Sequence, residues 1–445
     1  MRDSVVYGHL WGTPETRALF SDQGRTRIWL DVIVALAQEQ AALGIIPPEA
    51  ARQIAALDEP DLEAVGAQTR ATGHSTLGLI RVLKDALGPE GGEWVYYGAT
   101  VQDVTDTWFG LVMQRMLAIL RRDLGTIEAS LVKLAGEHRD TVMLGRTHGQ
   151  PGLPITFGFK AAGWAAEVRR HLERVSEAEP RLSVGQLAGA VGTLSAYGPQ
   201  GPELQRRLLA RLGLGVPDTS WLTARDRIAE LTTLLALVTG TLARIGNEVY
   251  NLQRAEIGEL SESPTEGVVG SITMPQKINP ERSEHLWTLA RVVRAAAGLA
   301  LEGLVGEHER DGAAWKTEWA FLPEACSASA VSLSLGAELV GGLRVDAERM
   351  RANLDAQDGY VLAEPVMLAL AERVGKQRAH QLVYRAALAG QAKGVPFAQA
   401  LRDDAEIARE LPDAAAGLRA EDALGAAGEL VDAVIARGRA TEAGG

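Results

Sequence analysis

The chain has 445 residues, 46% of them hydrophobic, so it is long and apolar enough to bury a large core. The formal net charge of −12 and the lack of any basic run argue against a nucleic-acid surface. No run of consecutive apolar residues approaches the roughly 18 that a membrane span needs, and the first residues show no secretory signal pattern. Cys326 is the only cysteine, so we expect a cytoplasmic protein without disulfides.

Apolar residues recur at helical spacing along much of the chain, whereas alternating strand patterns are scarce. The predicted fold class is therefore all-α. Between Leu234 and Val238 the pattern is apolar on nearly every side, which is typical of a helix inside a bundle. The predicted long helices span residues 105–136, 156–177, 225–254, 283–304 and 317–341.

Composition divides the chain into three segments. Residues 1–103 contain short helices broken by Gly and Pro, residues 104–344 contain the long helices, and residues 345–445 again contain shorter ones. We predict an N-terminal helical domain, a central long-helix bundle and a C-terminal helical domain. A generic helical protein would fit these patterns equally well, so function must come from motifs.

The segment 264–280, PTEGVVGSITMPQKINP, is rich in Gly and Pro and lies between two helical patterns. It is predicted to be a loop, followed by a helix that begins near Pro280. Backbone N–H groups at that helix start, together with Lys277, would attract an anion. From composition alone, an ordinary surface loop is an equally good interpretation.

Three motifs favour a functional loop over an ordinary surface loop. The string GSITMPQKINP (270–280) resembles the signature loop of the fumarase/aspartase superfamily, and YYGATVQD (96–103) and GRTHGQPGLP (145–154) resemble two further family regions, in the same order. The resemblance extends over about residues 10–395. It implies a homotetramer whose long helices form a common core, with each active site built from three chains, so that a monomer is expected to be inactive.

The family's elimination needs a base, an anion clamp and an acid for the leaving group. The resemblance implies that Ser271 is the base, on a loop that closes over the substrate, and that Lys277 and Asn279 hold a carboxylate. His148 is implied as the proton donor near the leaving group, with Glu284 as the carboxylate that orients its ring. No cofactor is expected.

The resemblance implies further substrate contacts. Thr100 and Thr147 are expected to hydrogen-bond the second carboxylate, and His74 lies where adenylosuccinate lyases often carry an active-site histidine. The remaining expected substrate-binding residues are Tyr96, Gln102, Met274 and Arg310. The eight histidines show no metal-binding spacing, so no metal site is predicted.

The segment EHERDGAAWKTEWAFLPE (307–324) is similar to carboxymuconate cycloisomerases, and Trp315 and Trp319 stand where adenylosuccinate lyases grip a nucleotide phosphate. His148, in contrast, is typical of members that eliminate nitrogen or oxygen groups. The leading hypothesis is a lyase that releases fumarate from a small 2-substituted succinate, such as an N-substituted aspartate or nitrosuccinate. The alternative is 3-carboxy-cis,cis-muconate cycloisomerase, and a third, non-enzymatic hypothesis is a structural crystallin-like member.

The chain departs from the family pattern at three positions. Tyr96 replaces a histidine, Val101 replaces a serine that would bind carboxylate, and Ile272 replaces the second serine of the signature. A smaller or differently shaped leaving group would explain the first two changes, and so would altered or lost activity. The leaving group itself remains open from sequence.

Overall fold

The computed structural model describes residues 3–264, 271–274, 276–414 and 419–443. Helices dominate these residues. The α-helices are α1 (Pro14–Phe20), α2 (Asp22–Ala42), α3 (Pro48–Ala55), α4 (Leu62–Thr72), α5 (Leu77–Gly92), α6 (Val101–Glu137), α7 (Phe157–Leu182), α8 (Gly201–Arg211), α9 (Asp226–Leu252), α10 (Glu281–Glu302), α11 (Gly312–Gly341), α12 (Ala347–Asp355), α13 (Ala363–Val374), α14 (Lys376–Lys393), α15 (Phe397–Asp403), α16 (Ala405–Glu410) and α17 (Ala427–Ala443). The strands are β1 (Val142–Thr147), β2 (Gln150–Thr156), β3 (Leu260–Ser261) and β4 (Arg344–Val345).

The predicted all-α class is confirmed, and so are the five long helices. Helix α9 runs from Asp226 to Leu252, within two residues of the expected bounds, and α10 begins one residue after Pro280. Helix α11 begins five residues earlier than its apolar pattern indicated, at Gly312. Capping explains this start, because the Asp311 carboxylate accepts the backbone N–H groups of Ala313 and Ala314 at its N-terminus. The three-domain division stays a prediction.

The residues form two compact units. Unit 1 comprises Met1–Asp123, His171–Leu242 and Leu286–Ser334, and unit 2 comprises Leu124–Arg170, Ala243–His285 and Leu335–Gly445. The long helices α6, α7, α9, α10 and α11 contribute residues to both units.

The core of unit 1 is built on α6, which buries a row of side chains with no solvent exposure: Phe109, Val112, Met113, Met116 and Leu117. A second cluster joins Leu36 of α2 to Leu204 and Leu208 of α8. Burial of these side chains contributes about 1.5–3 kcal/mol each and holds the helices that carry the first motif.

Helix α9 is apolar enough to meet the composition test for a membrane span, with a mean hydropathy of 1.5 over its best 18-residue window. Of that window, 67% is buried within the chain, as in the core helix of a folded domain. Its buried Thr232 and Thr239 hydroxyls donate to the Ile228 and Leu235 carbonyls, which satisfies them inside the helix. Intrahelical bonding of this kind lets polar residues lie in the core.

Unit 2 contains a β-hairpin that the sequence patterns did not reveal. Strands β1 and β2 pair antiparallel, with Val142 opposite Thr156 and Thr147 opposite Gln150, and the register shifts near Gly145. A Cβ at Gly145 would lie 2.6 Å from the Leu153 carbonyl oxygen, so the irregularity requires glycine. Glycine and two prolines interrupt the strand alternation, which is why periodicity missed this element.

The C-terminal helices of unit 2 have their own core. Helices α13, α14 and α15 pack around fully or nearly fully buried Leu370, Leu382, Phe397 and Leu401. Strand β1 joins a smaller cluster through Leu144, which packs with Leu354 of α12. Through Leu144, strand β1 is therefore anchored to the rest of unit 2.

Candidate active site

The second motif forms the tip of the hairpin. His148 and Gly149 both have positive φ, 53° and 74°, between the paired residues Thr147 and Gln150. Two central residues with positive φ make a type I′ turn, whose twist matches that of the flanking strands. The turn places the His148 imidazole at an exposed tip, with Thr147 beside it, also exposed.

The hairpin is fixed close to its tip by an ion pair. Arg146 donates from its two terminal nitrogens to the Glu259 carboxylate, at 2.9 and 2.6 Å, and Asn353 donates to the same carboxylate at 2.8 Å. The Glu259 side chain is fully buried, whereas that of Arg146 is 21% exposed. Because Arg146 lies two residues before His148, this pair sets the direction in which the tip projects. It had no local sequence signal, since 113 residues separate its members.

The signature segment is described at residues 271–274 and 276–280, and residues 265–270 and 275 lie outside the described residues. The Ser271 hydroxyl oxygen accepts a hydrogen bond from the Met274 backbone N–H at 3.0 Å, and the Met274 carbonyl accepts from the Lys277 N–H at 2.9 Å. A hydrogen-bond donor aimed at an oxygen favours the charged form of that oxygen. Lys277 and Met274 are exposed.

The start of α10 differs from the expected open anion site. The buried Glu262 carboxylate accepts the N–H of Arg282 at 3.2 Å and the N–H and hydroxyl of Ser283 at 2.8 and 2.6 Å. The chain's own carboxylate thus binds the backbone donors of this helix end, as its dipole favours. The side chains of Asn279 and Glu284 remain next to it, half-buried and exposed respectively.

The first motif is organised by Asp103. Its carboxylate accepts the backbone N–H groups of Thr100 at 2.8 Å, Ala188 at 2.6 Å and Gly189 at 3.3 Å. Burial raises the pKa of Asp103 to about 6, although these three hydrogen bonds oppose the shift. Because its backbone is held in this way, Thr100 keeps its side-chain hydroxyl for other contacts.

Arg310 completes this cluster. Its guanidinium donates to the Thr100 hydroxyl and to the Ala190 carbonyl, both at 3.0 Å. Its buried Nε–H has no acceptor among the described residues and is a donor suited to a carboxylate. Burial, with the nearby Asp103 carboxylate, raises the pKa of the Tyr96 phenol above its ordinary value, so Tyr96 is a neutral donor here.

Gln102, from the same motif, faces the interior. It is fully buried, and its amide nitrogen donates to Asp106 at 3.2 Å and to the Leu222 carbonyl at 3.0 Å. In this conformation Gln102 braces α6. Its direct contact with substrate stays a prediction.

Asp106 belongs to a buried charge cluster that sequence reasoning missed. Arg225 donates twice to Asp106, at 3.0 and 3.1 Å, and twice to Glu318, at 2.7 and 2.5 Å. Burial raises the pKa of Glu318 to about 7, while the two carboxylates outweigh the burial of Arg225 and keep it charged. The sequence signal for this cluster was weak, because each member is a single charged residue within an apolar helical pattern.

His74 has a structural contact in this chain. Its Nδ1 accepts the backbone N–H groups of Thr76 and Leu77, at 3.3 and 3.2 Å, at the start of α5.

The expected site residues fall into separate groups. The structure brings Tyr96, Thr100 and Arg310 together in unit 1. In unit 2, Thr147 and His148 lie at the hairpin tip, and the signature residues lie before α10.

Two family models match the chain. The model described as "Lyase" matches residues 11–295, and the model described as "Adenylosuccinate lyase C-terminus" matches residues 359–434. The chain belongs to the fumarase/aspartase superfamily. It is accordingly an enzyme of that superfamily, as its three motifs implied.

Among relatives in this superfamily, the N-acetyl-S-(2-succino)cysteine lyase of Dickeya dadantii is 40% identical over 412 residues, covering 92% of this chain and 90% of that protein. The protein of the same name from Enterococcus italicus is also 40% identical, over 91% and 90%. The crystal structure of 3-carboxy-cis,cis-muconate lactonizing enzyme from Pseudomonas putida matches with a TM-score of 0.90 and 33% identity, over 98% of this chain and 99% of that one.

Proposed function

We propose that the chain is a lyase that eliminates a thiol from a small S-substituted succinate and releases fumarate. The observation that carries the proposal is the 40% identity, over about nine tenths of both chains, to two proteins named for such a thioether. The sequence-based hypothesis was a small, non-nucleotide 2-substituted succinate, with nitrogen-linked examples. The thioether assignment keeps the succinate part of that hypothesis and changes the first atom of the leaving group from nitrogen to sulfur.

In the proposed reaction the base and the acid are different residues. Ser271 takes the proton from the carbon beside one carboxylate, the adjacent C–S bond breaks, and the electron pair forms the double bond of fumarate. His148 donates a proton to the departing sulfur. The Met274 N–H on the Ser271 oxygen supports the base role, and the exposed position of His148 at a turn supports proton exchange with solvent.

Carboxylate binding is assigned to complementary donors. Arg310 Nε, the Thr100 hydroxyl and the neutral Tyr96 phenol provide donors in unit 1 for one substrate carboxylate. Lys277 and Asn279 are proposed to hold the other and to stabilise the doubly charged intermediate. Glu284 is proposed to orient His148 and hold its charged form.

The active enzyme is proposed to be a homotetramer in which different chains supply these groups. Support comes from an apolar groove on unit 1, a cavity of about 370 Å³ that includes Leu234, Leu237 and Leu301. Leu237 and Leu301 are 48% and 52% exposed in the single chain. Large apolar side chains grouped on one surface are typical of a subunit interface.

The test is a substrate panel. Purified enzyme is given N-acetyl-S-(2-succino)-L-cysteine, an N-substituted aspartate, nitrosuccinate and adenylosuccinate, and fumarate release is followed by absorbance. We expect release from the thioether with the highest kcat/KM. Release only from a nitrogen-linked substrate would overturn the thioether assignment, and no release from any of them would overturn the lyase proposal.

A second candidate is 3-carboxy-cis,cis-muconate cycloisomerase. The similarity to the Pseudomonas putida lactonizing enzyme over nearly the whole chain favours it. Lactone formation from carboxymuconate, with a kcat/KM above that for the thioether, would establish this candidate instead.

A further inference from the structure

The buried carboxylate of Glu262 lies where the signature segment joins the rest of unit 2. Glu262 directly follows β3, which pairs antiparallel with β4, so its backbone belongs to a fixed part of the unit. Its backbone N–H also donates to the Gln253 side-chain oxygen at 2.8 Å. None of the roles assigned above uses Glu262.

The Glu262 carboxylate connects the two ends of this segment. It follows β3 on one side, and on the other it accepts the backbone N–H groups of Arg282 and Ser283 at 3.2 and 2.8 Å and the Ser283 hydroxyl at 2.6 Å. The Arg282 guanidinium in turn donates to the Ser263 carbonyl at 3.0 Å. The chain is therefore bound to itself at the residues that flank positions 264–281.

Burial makes this connection strong. Glu262 and Ser283 are 6% and 1% exposed, so water does not compete for the bonds between them. Hydrogen bonds to an ionised carboxylate are about twice as strong as neutral ones, and a buried N–H that loses its acceptor is costly. Glu338 differs, because it also contacts Arg282, at 3.3 Å, but its side chain is 55% exposed.

Two of the proposed site residues lie beside the anchored backbone. Glu284, proposed to orient His148, directly follows Ser283, and Asn279 precedes Arg282 by three positions. The backbone bonds at Arg282 and Ser283 therefore limit where both side chains can lie.

A second contact reaches the proposed carboxylate ligands. Lys277 and Asn279 flank Ile278, whose carbonyl accepts from the Gln253 side-chain nitrogen at 3.5 Å. The side-chain oxygen of the same Gln253 accepts the Glu262 N–H. Gln253 and Glu262 together thus fix the backbone before and after the two ligands.

We infer that Glu262 is a positioning residue for the elimination, which holds both ends of the signature segment so that Lys277 and Asn279 meet the substrate carboxylate in one arrangement. The inference rests on the proposed function, which assigns that carboxylate to these two residues. Glu262 acts through them and is not assigned a contact with substrate. Its effect is geometric, and displacing a group at the site by about 1 Å can cost about 100-fold in rate.

Glu262→Gln tests the inference in the full-length enzyme. The amide keeps the shape of the carboxylate, but its NH₂ group cannot accept, so the N–H of Arg282 or of Ser283 loses its acceptor. We expect the Kd for fumarate, measured by isothermal titration, to rise about tenfold, and kcat/KM for the thioether to fall about tenfold or more. The matched control is Glu338→Gln, which removes the other carboxylate at Arg282 and should leave both values unchanged.

Two measurements separate positioning from a loss of folded protein. A smaller folded fraction lowers the number of fumarate sites per chain without changing Kd, whereas displaced ligands raise Kd at an unchanged number of sites. Hydrogen–deuterium exchange should be faster in peptides that span residues 276–284 of Glu262→Gln, but not of Glu338→Gln. Ser283→Ala removes only the hydroxyl, so it should show a smaller change of the same kind, and it keeps the test valid if Glu262→Gln does not fold.

A wild-type Kd for fumarate in Glu262→Gln would overturn the inference, whether or not the number of sites falls. Exchange no faster than in Glu338→Gln would overturn it as well. Failure of the proposed function gives a different pattern, because the wild type itself would then neither bind fumarate nor release it from the thioether. The exchange comparison needs no substrate, so it would still decide whether Glu262 holds the segment.

Discussion

Arg225→Met is the substitution expected to weaken unit 1 most. The side chains of Arg225, Asp106 and Glu318 are 2%, 0% and 3% exposed, and Arg225 donates to both carboxylates in a bidentate manner and to the Trp221 carbonyl. Methionine retains the apolar part of the side chain but leaves two buried carboxylates without their cation. Removing one partner of a buried ion pair costs about 3–5 kcal/mol, and we expect a loss in this range.

Urea unfolding at pH 7.5 and fixed protein concentration measures the loss through tryptophan fluorescence. Trp221 is a suitable reporter, because it is 1% exposed and its ring centre lies 5.0 Å from the Arg225 guanidinium carbon. The matched control is Arg206→Met, which removes an exposed arginine paired with Glu203 on α8. Surface pairs contribute up to about 1 kcal/mol. If Arg225→Met lost no more stability than Arg206→Met, the account of this cluster would be refuted.

Further substitutions test the charge cluster at Glu318 and the β-hairpin. Burial raises the pKa of Glu318 from 4.5 to about 7, so between these pH values the folded chain keeps a proton that the unfolded chain releases. Stability should therefore fall as pH rises through this range, and Glu318→Gln should flatten that part of the urea-stability profile. Arg146→Met should lower kcat more than it raises KM, because it frees the hairpin that positions His148; equal effects on both would contradict this. Gly145→Ala should destabilise the hairpin and reduce kcat, whereas Gly163→Ala, with no atom within 4 Å of the added Cβ, should preserve both stability and turnover; the two variants are compared by thermal unfolding and initial rates.

The helices were predictable because burial imposes a periodic pattern. Residues 225–254 read as one helix, and Asp226–Leu252 forms one, since the apolar positions of a core helix recur every three or four residues. The hairpin was not predictable in this way. Pro151 and Pro154 remove the alternation of β2, and a His-Gly pair is a weaker turn signal than Asn-Gly.

Sequence motifs identified residues of the candidate site but not the contacts that hold them. The carboxylate of Asp103 reaches the backbone of Ala188, and Arg310 reaches Thr100 across 210 residues of sequence. No local pattern encodes such pairs, because they depend on how helices distant in sequence pack. At the start of α10 a local rule was incomplete. It predicted an anion site at the helix N-terminus, but the Glu262 carboxylate, from outside the helix, already accepts a backbone N–H there.

Loss of fumarate release in Ser271→Ala tests the central claim most directly. Wild type, Ser271→Ala and Thr273→Ala are given N-acetyl-S-(2-succino)-L-cysteine, and initial rates are corrected for the reaction without enzyme. General base catalysis contributes about 10²–10⁴-fold, so we predict a loss of that size in Ser271→Ala and near wild-type rates in Thr273→Ala, which removes a hydroxyl two residues away. Near wild-type turnover by a folded Ser271→Ala enzyme would contradict the proposed mechanism.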